Sequence, residues 1–213
     1  MCFASKTSRQ TNVECSDKAP EINTITAYTT ADISALDTVG KELILVSGIN
    51  FGEFLDAVSV TYGRSGAENL ATCIFPAPLQ TSAHTKLVCE TSPGIGTALK
   101  WKVMVEGQAS LLSSQTVSYH APVWADPVQA VRGYEGSNPG QLRTEGGEVL
   151  YLRGRYFGPR TSLKSWNIPR VVYGLNSTQQ RSVTYNASFV AKSCTVESDT
   201  EIRCLSAAGL YVI

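Results

Sequence analysis

Six cysteines carry the clearest chemistry in this chain of 213 residues. None of them forms a Cys-x-x-Cys unit, and only two histidines, His84 and His120, could add soft metal ligands. A zinc site is therefore hard to assemble, and disulfides are the better interpretation. Because disulfides persist in oxidising compartments, we expect a secreted protein, extracellular or at the cell surface. The six are Cys2, Cys15, Cys73, Cys89, Cys194 and Cys204.

A catalytic site would need a nucleophile, a base and an orienting group held together. Neither His84 nor His120 has such a motif around it. The close carboxylate pairs, Glu53 with Asp56 and Glu145 with Glu148, lie beside glycine-rich turns, where solvated turn residues are commoner than an acid and a base. No string resembles an EF-hand loop. We therefore expect no enzyme activity, no cofactor and no metal.

Two asparagines offer a different chemistry. Asn176, in Asn-Ser-Thr, and Asn186, in Asn-Ala-Ser, both satisfy the N-glycosylation sequon. The sequon alone is a weak signal, but the extracellular setting that the cysteines indicate strengthens it. We expect an N-linked glycan on at least one of them.

The charge balance excludes several classes of partner. Lys and Arg total 18 and Asp and Glu total 18, so the formal net charge is zero. The basic residues are also scattered, so nothing would attract the chain to nucleic acid or anionic lipid. No apolar run reaches the roughly 18 residues of a membrane span. Residues 1–10 lack the apolar core of a signal peptide, so we expect a processed or partial chain.

The elements that must position these residues are strands. Hydrophobic residues make up 43% of the chain and charged residues 17%, which is typical of a globular protein. Short alternating runs separated by Gly, Pro, Asn and Ser dominate the sequence. In the clearest run, residues 99–106, the side chains of Leu99, Trp101 and Val103 face one way. This pattern predicts an all-β chain in which this strand pairs with residues 115–120 as a hairpin.

The sequence repeats itself with a period of about 100 residues, the length of one β-sandwich domain. Residues 41–52, which end in Gly-Ile-Asn-Phe-Gly, recur as residues 147–158, which end in Gly-Arg-Tyr-Phe-Gly. We predict that the first glycine lets the strand bend, the second takes a positive φ, and the phenylalanine folds back as a core plug. Further matches keep the same order: Ala-Pro at 19–20 and 121–122, Val-x-Tyr-Gly at 60–63 and 171–174, and Cys73 and Cys89 with Cys194 and Cys204.

These elements resemble those of the IPT/TIG family of immunoglobulin-like β-sandwiches. Domain 1 (residues 20–120) carries the whole pattern: Gly-x-Asn-Phe-Gly, Val-x-Tyr-Gly, a cysteine, a second cysteine before Pro-Gly-x-Gly, Trp-x-Val-x-Val and Ser-Tyr-x-x-Pro. Domain 2 (residues 121–213) departs from it in its Gly-Arg-Tyr-Phe-Gly turn and lacks most of its last two strands. The resemblance implies tandem IPT/TIG sandwiches, the second incomplete within this chain. Residues 1–19 resemble the last strand of a preceding or neighbouring unit.

The repeat also bears on how the cysteines pair. Cys73 and Cys89 hold positions equivalent to those of Cys194 and Cys204, so we expect one disulfide within each domain. Cys2 and Cys15 then remain, either as a third bridge or with Cys2 paired to another chain.

The two ends of the chain match each other in type. Residues 8–20 align loosely with residues 114–122, so the chain begins with a segment like a final strand, although a disordered leader is the alternative. Domain 2 ends on an apolar strand with no partner after it. We expect protomers to join head to tail by strand complementation, unless the sequence is simply truncated. The interface would comprise Thr11, Asn12, Val13 and Glu14 with Leu210, Tyr211, Val212 and Ile213.

Two tryptophans lie outside the repeated strands. Trp124, in the linker of residues 121–128, is expected to act either as an exposed contact residue or as a wedge between the domains. Trp166, in the domain 2 insertion, fits a contact site and local packing equally well.

The leading functional hypothesis is an extracellular structural or adhesive protein whose tandem domains hold shape and polymerise head to tail into a glycosylated filament. Its partners would be other copies of itself or adjacent IPT/TIG domains, and N-linked glycans. The alternative is the stalk or ligand-binding ectodomain of a plexin-like cell-surface receptor. A transcription factor, a third class in which the family occurs, is disfavoured by the neutral charge, the paired cysteines and the lack of a basic loop.

Overall fold

The computed structural model describes residues 18–77, 84–125, 131–133, 142–160, 167–174 and 188–209, and these residues form an all-β structure. A single-turn 3-10 helix (Leu55–Ala57) follows the second strand. No helix within these ranges is long and apolar enough to cross a membrane. The strands are β1 (Glu21–Ala27), β2 (Leu43–Ile49), β3 (Val58–Gly63), β4 (Asn69–Ile74), β5 (Lys86–Glu90), β6 (Leu99–Val105), β7 (Gln108–Ala109), β8 (Thr116–Val117), β9 (Val123–Trp124), β10 (Val131–Gly133), β11 (Val149–Arg155), β12 (Val172–Gly174), β13 (Ser188–Val190), β14 (Lys192–Ser198) and β15 (Glu201–Leu205).

Domain 1 is a β-sandwich in which hydrogen bonding is continuous from the first strand to the last. The strand order is β1-β2-β5-β4-β3-β6-β7, and β8 pairs with β6. β4 joins the two layers because it changes partner along its length. Residues 69–71 pair with β3, whereas residues 72–74 pair with β5. All of these pairings are antiparallel, as in immunoglobulin-like sandwiches.

The alternation predicted for residues 99–106 is present in β6. Leu99, Trp101 and Val103 are buried, while the residues between them are exposed or half-buried. The predicted hairpin with residues 115–120 is wrong in one respect. The chain turns at once into β7 through Glu106 and Gly107, which both have positive φ, and β8 then pairs with the start of β6. A two-residue turn of that kind matches the twist of the strands it joins.

The Gly-x-x-Phe-Gly turn after β2 fixes one edge of the core. Phe51 is fully buried, and its ring lies directly beneath Gly48. A Cβ added at Gly48 would lie 2.5 Å from the ring and 2.0 Å from the carbonyl oxygen of Glu21, so only glycine fits there. Asn50 and Gly52 take φ values of 63° and 75°. The predicted core plug and the predicted positive φ are confirmed.

Domain 2 repeats this arrangement. Its strands pair in the order β10-β11-β15-β14, with β9 beside β11 and with β12 and β13 as a separate pair. Trp124 of β9 lies opposite Gly154, as Ile22 of β1 lies opposite Gly48. Phe157 is buried beneath Gly154 at 2.4 Å from an added Cβ. The buried core residues are Leu150, Leu152, Phe157, Val171, Cys194, Val196, Ile202 and Cys204.

The pair of β12 and β13 corresponds to β3 and the first half of β4. Tyr173 lies opposite Phe189, as Tyr62 lies opposite Asn69. Counterparts of β6, β7 and β8 are not among the described residues of domain 2. Within those residues β12 is therefore paired on one side, whereas β3 is paired with both β4 and β6.

One disulfide joins corresponding strands in each domain. Cys73 of β4 is bonded to Cys89 of β5, and Cys194 of β14 is bonded to Cys204 of β15. The bridges close loops with sequence separations of 16 and 10 residues. Restricting the unfolded chain in this way contributes about 2–4 kcal/mol for each bridge. Cys2 and Cys15 lie outside the described residues.

Two tyrosines close the end of domain 1 that lies opposite the glycine turn. The hydroxyls of Tyr62 and Tyr119 are 2.5 Å apart. Tyr119 donates to the carbonyl oxygen of Ser92 (2.6 Å), and the Tyr62 hydroxyl accepts from the Ser92 N–H (2.9 Å). Burial raises the pKa of both tyrosines, and it raises that of Tyr119 most strongly. Both hydroxyls therefore keep their protons at neutral pH and fasten residues 92–96 to the core.

We expect Phe51→Ala to lower the free energy of unfolding of domain 1 by about 3–5 kcal/mol, because it leaves a cavity beneath the rigid backbone at Gly48. Denaturant unfolding measures this change. The matched control is Phe54→Ala, whose side chain is 69% exposed and whose effect should stay under about 0.5 kcal/mol. An effect of Phe51→Ala as small as that of the control would contradict the role of this ring.

The stability of domain 1 should fall as the pH rises above about 10. A tyrosine in the unfolded chain ionises near that pH, whereas the raised pKa keeps Tyr62 and Tyr119 protonated in the folded state. The unfolded state then binds fewer protons and is favoured. Urea unfolding between about pH 8 and about pH 11 should show a steeper loss for the natural protein than for Tyr119→Phe. Equal slopes for the two proteins would argue against this coupling.

Candidate functional site: the joint between the domains

Two loops of domain 1 form its side of the joint with domain 2. The Gly94 N–H donates to the carbonyl oxygen of Thr38 (3.0 Å), which ties residues 92–96 to the segment before β2. The ring of Tyr119 packs against Gly94, where an added Cβ would come within 2.7 Å of it. The tyrosine cluster thus fixes the positions of Thr38 and Ile95, which both contact domain 2.

On the side of domain 2 the central residue is Asp199, in the turn between β14 and β15. Its backbone carbonyl oxygen accepts from the Phe157 N–H (3.0 Å). Its carboxylate accepts from the N–H groups of Gly158 (2.8 Å) and Tyr156 (3.3 Å). Asn167, which is buried, supports the same turn by donating to the carbonyl oxygen of Phe157 (3.1 Å). Asp199 therefore accepts from three successive N–H groups of the Gly-Arg-Tyr-Phe-Gly turn, those of residues 156–158.

The same carboxylate also bonds across the joint. The Thr38 hydroxyl donates to Oδ1 of Asp199 at 2.5 Å. Thr38 has no exposed surface and Asp199 is half-buried, so this bond is partly shielded from water. A hydrogen bond to an ionised carboxylate is stronger than one between neutral groups, and a shielded one is stronger still. One side chain thereby couples the turn of domain 2 to a loop of domain 1.

Packing contacts surround this hydrogen bond. The ring of His120 stacks on that of Tyr156, with 4.3 Å between centroids and 13° between planes. Tyr156 can present its ring there because its backbone has a φ of 63°. Gly158 is needed for the close approach of the domains, since an added Cβ would lie 2.2 Å from Cγ2 of Ile95. These contacts restrict rotation at the joint.

A carboxylate of domain 1 lies near the stacked histidine. Hydrogen bonds from the hydroxyl and the N–H of Ser34 lower the pKa of Asp32, and the charge of His120 adds a smaller effect in the same direction. Asp32 is exposed, so this is a local effect at the rim of the joint.

Trp124 is not the wedge considered from its place in the linker. It lies in β9, paired with β11 of domain 2, and its ring contacts Phe157 of the same domain at 5.4 Å between centroids. Its side chain is 51% exposed. The short strand β9 takes Trp124 onto the sheet of domain 2, and His120, four residues earlier, makes the interdomain contact instead.

The glycine turn of domain 1 has a different residue at the position of Asp199. His84 holds the position of Asp199, since it accepts from the Phe51 N–H (3.0 Å) as Asp199 accepts from the Phe157 N–H. Nε2 of the His84 ring lies 3.1 Å from Oε1 of Glu53, and both side chains are more than half exposed. His84 is therefore a turn residue.

The remaining candidate residues are placed as follows. Glu148 accepts from the Arg143 N–H (2.6 Å) and so holds a turn, as Glu42 holds the corresponding turn of domain 1 by accepting from the Asp37 N–H (2.6 Å). Among the described residues no group of three His, Cys, Asp or Glu side chains could hold a metal ion. The candidates outside the described residues are Cys2, Thr11, Asn12, Val13, Glu14, Cys15, Trp166, Asn176, Asn186, Leu210, Tyr211, Val212 and Ile213.

Sequence reasoning missed both partners of the central hydrogen bond. Thr38 and Asp199 are common turn residues separated by 161 positions. The repeat contains one usable signal, because the alignment of the two glycine turns places Asp199 where domain 1 has His84. The change from histidine to aspartate at that position lies at the end of domain 2 that faces domain 1.

Comparison of the sequence with protein-family models finds no match, and no curated protein matches it. Three solved structures are similar to the chain. A structural genomics protein of unknown function from Bacteroides thetaiotaomicron is 14% identical, with a TM-score of 0.39, covering 88% of this chain and 38% of that one. Two structures of the full extracellular region of plexin A4 are also similar. The first is 14% identical, with a TM-score of 0.38, and the match covers 97% of this chain and 17% of that one. The second is 16% identical, with a TM-score of 0.30, and the match covers 90% of this chain and 13% of that one. The chain spans well under half the length of each.

Proposed function

We propose that this chain is a structural and adhesive segment of an extracellular protein, in which tandem immunoglobulin-like domains are held at a fixed angle. The proposal rests on the contacts observed at the joint between the domains. The partly shielded bond from Thr38 to Asp199, the stack of His120 on Tyr156 and the contact of Ile95 with Gly158 all resist independent motion of the domains. Domains without such contacts move relative to one another by default.

Binding and support are favoured over catalysis. The candidate acid and base groups His84, Glu148 and Asp32 lie in turns or at the rim of the joint. The zero net charge supports protein partners rather than nucleic acid. The two disulfides support an oxidising compartment. In that setting at least one of Asn176 and Asn186 would carry an N-linked glycan.

The finer form of the proposal is head-to-tail assembly. The N-terminal segment around residues 11–16 of one copy would complete the open side of domain 2 in the next, where β12 is paired with β13 alone among the described residues. Donor and acceptor then lie at opposite ends of one chain, so the contact would propagate into a filament.

A second candidate is the stalk or ligand-binding ectodomain of a plexin-like receptor. The same stiff joint would serve a stalk equally well, so it does not separate the two. Self-association does separate them, since a stalk segment would stay monomeric while a filament protein would assemble.

The joint should loosen in the variant Asp199→Ala. Residual dipolar couplings of the two domains should share one alignment tensor in the natural protein and need two in the variant. Because Asp199 also satisfies the Gly158 N–H, the variant should lower the stability of domain 2 by about 1.5–3 kcal/mol. The control is Asp56→Ala, an exposed aspartate away from the joint. Two independent alignment tensors in the natural protein would refute a fixed angle between the domains.

Assembly should appear as concentration-dependent growth in sedimentation velocity. Removal of residues 1–16 should abolish it, because the donor segment is then absent. A natural protein that stays monomeric up to about 0.5 mM, well above the micromolar range of ordinary specific contacts, would favour the stalk over the filament.

A further inference from the structure

A cavity of about 300 Å³ opens between two loops of domain 1. One wall is the hairpin that joins β3 to β4, and the other is the segment that leads into β6. Every residue that lines the cavity lies within residues 63–69 or 95–99, which the structure describes throughout. Ile95 in the second wall also contacts Gly158, so the cavity adjoins the joint. Its volume is at the lower end of the range of about 300–1,000 Å³ that is typical of ligand sites.

Hydrogen bonds hold both walls of the cavity in place. In the hairpin, the Gly66 N–H donates to the carbonyl oxygen of Gly63 (3.2 Å), and the Thr61 hydroxyl donates to the carbonyl oxygen of Gly66 (2.6 Å). In the other wall, the carbonyl oxygen of Gly96 accepts from the Tyr119 N–H (2.9 Å). The cavity is therefore formed before any ligand binds, as most small-molecule sites are.

A buried amide lines the cavity. Asn69, the first residue of β4, is only 2% exposed, and its Oδ1 atom is buried without a hydrogen-bond partner among the described residues. An amide oxygen that has lost water without gaining a donor destabilises a fold, so such groups are rare unless a bound molecule satisfies them. At the corresponding position domain 2 has Phe189, an apolar ring packed against Gly209. The amide therefore distinguishes domain 1 from domain 2, and it favours a molecule that brings an O–H or N–H group to Oδ1.

The other lining groups define what else such a molecule must offer. Leu99, which is 4% exposed, and the half-buried Ile95 form an apolar surface. Arg64 and Glu68, which are both exposed, place one positive and one negative charge at the mouth. Arg64 takes part in none of the ion pairs of the described residues, whereas the Glu68 carboxylate accepts from the Ser65 N–H (2.8 Å). Because the two charges offset each other, neither an anion nor a cation is favoured as the ligand.

We propose that this cavity binds a neutral sugar ring. A hydroxyl group both donates and accepts, so the hydroxyls of one ring can donate to Oδ1 of Asn69 and to the Glu68 carboxylate and can accept from Arg64. The apolar C–H face of the ring packs on Leu99 and Ile95. A hydrocarbon ligand would leave the Asn69 amide unpartnered, and a charged ligand would be repelled by Arg64 or by Glu68. The inference goes beyond the structural role of the joint and does not depend on it.

The test uses the whole chain, isotopically labelled, and the methyl glycosides of glucose, galactose and mannose, with binding followed by NMR. At least one glycoside should shift the backbone amide signals of Gly63 and Gly96 and the side-chain amide signal of Asn69. A dissociation constant of about 1 mM is expected, since the ligand has only about a dozen non-hydrogen atoms. If no glycoside shifts these signals at about 20 mM, the cavity holds water only and the proposal is overturned.

Charged derivatives of whichever glycoside binds test the preference for a neutral ligand. The matched uronic acid brings a carboxylate beside Glu68, and the matched amino sugar brings an ammonium group beside Arg64. Each should bind about threefold more weakly than the neutral glycoside, because the repelled side chain offsets the attracted one. Equal or tighter binding of a charged derivative would overturn the assignment to neutral sugars.

The variant Asn69→Leu tests the buried amide, because leucine has a similar volume and no polar side-chain atom. The affinity for the glycoside should fall about tenfold, since the hydrogen bond to Oδ1 is lost. The control is Leu70→Ala, whose side chain is 63% exposed at the next position of the same strand and whose affinity should equal that of the natural chain. Unchanged affinity of Asn69→Leu would overturn the role of the amide. If Asn69→Leu does not fold, the exposed Arg64→Ala replaces it and should weaken binding about fivefold, and unchanged binding would overturn the site.

Discussion

The contact on which both domains depend is a phenylalanine ring pressed against the backbone of a glycine. At Gly48 and at Gly154, an added Cβ would overlap the ring and also a carbonyl oxygen of the neighbouring first strand. Two strands and a ring can approach so closely only at a residue without a side chain. The residue before each ring, Asn50 or Tyr156, is then forced into a left-handed conformation. The Asn50 side chain then donates to the carbonyl oxygen of Ala19, whereas the Tyr156 ring stacks on His120 of domain 1.

The two domains share a hydrogen-bonded framework and differ in the side chains placed on it. The turn before the second strand is held in both by a glutamate that accepts from the backbone, Glu42 in domain 1 and Glu148 in domain 2. The outward-facing positions diverge, because they have to match different surroundings. Asp199 faces a buried threonine of domain 1, whereas His84 is exposed. The shared backbone hydrogen bonds define the fold of each domain, and the few positions with different side chains determine which groups the domain contacts.

Much of the fold could be predicted because its key residues make demands that few conformations satisfy. Phe51 and Phe157 between glycines, and the alternation in β6, allow little choice of structure. The joint could not be predicted, since Thr38 and Asp199 meet only after both domains have folded. Trp124 was misleading for a related reason. A large aromatic residue in a linker suggests a side chain inserted between two domains, but the edge strand β9 places Trp124 against domain 2 alone.

At the end opposite the glycine turn, the two domains differ in the size of one side chain. Domain 1 has the small Asn69 beside Tyr62 and places the ring of Tyr119 on Gly94, while domain 2 has the large Phe189 beside Tyr173. Protein cores keep their packing density, so a ring added at one position has to be matched by space released at another.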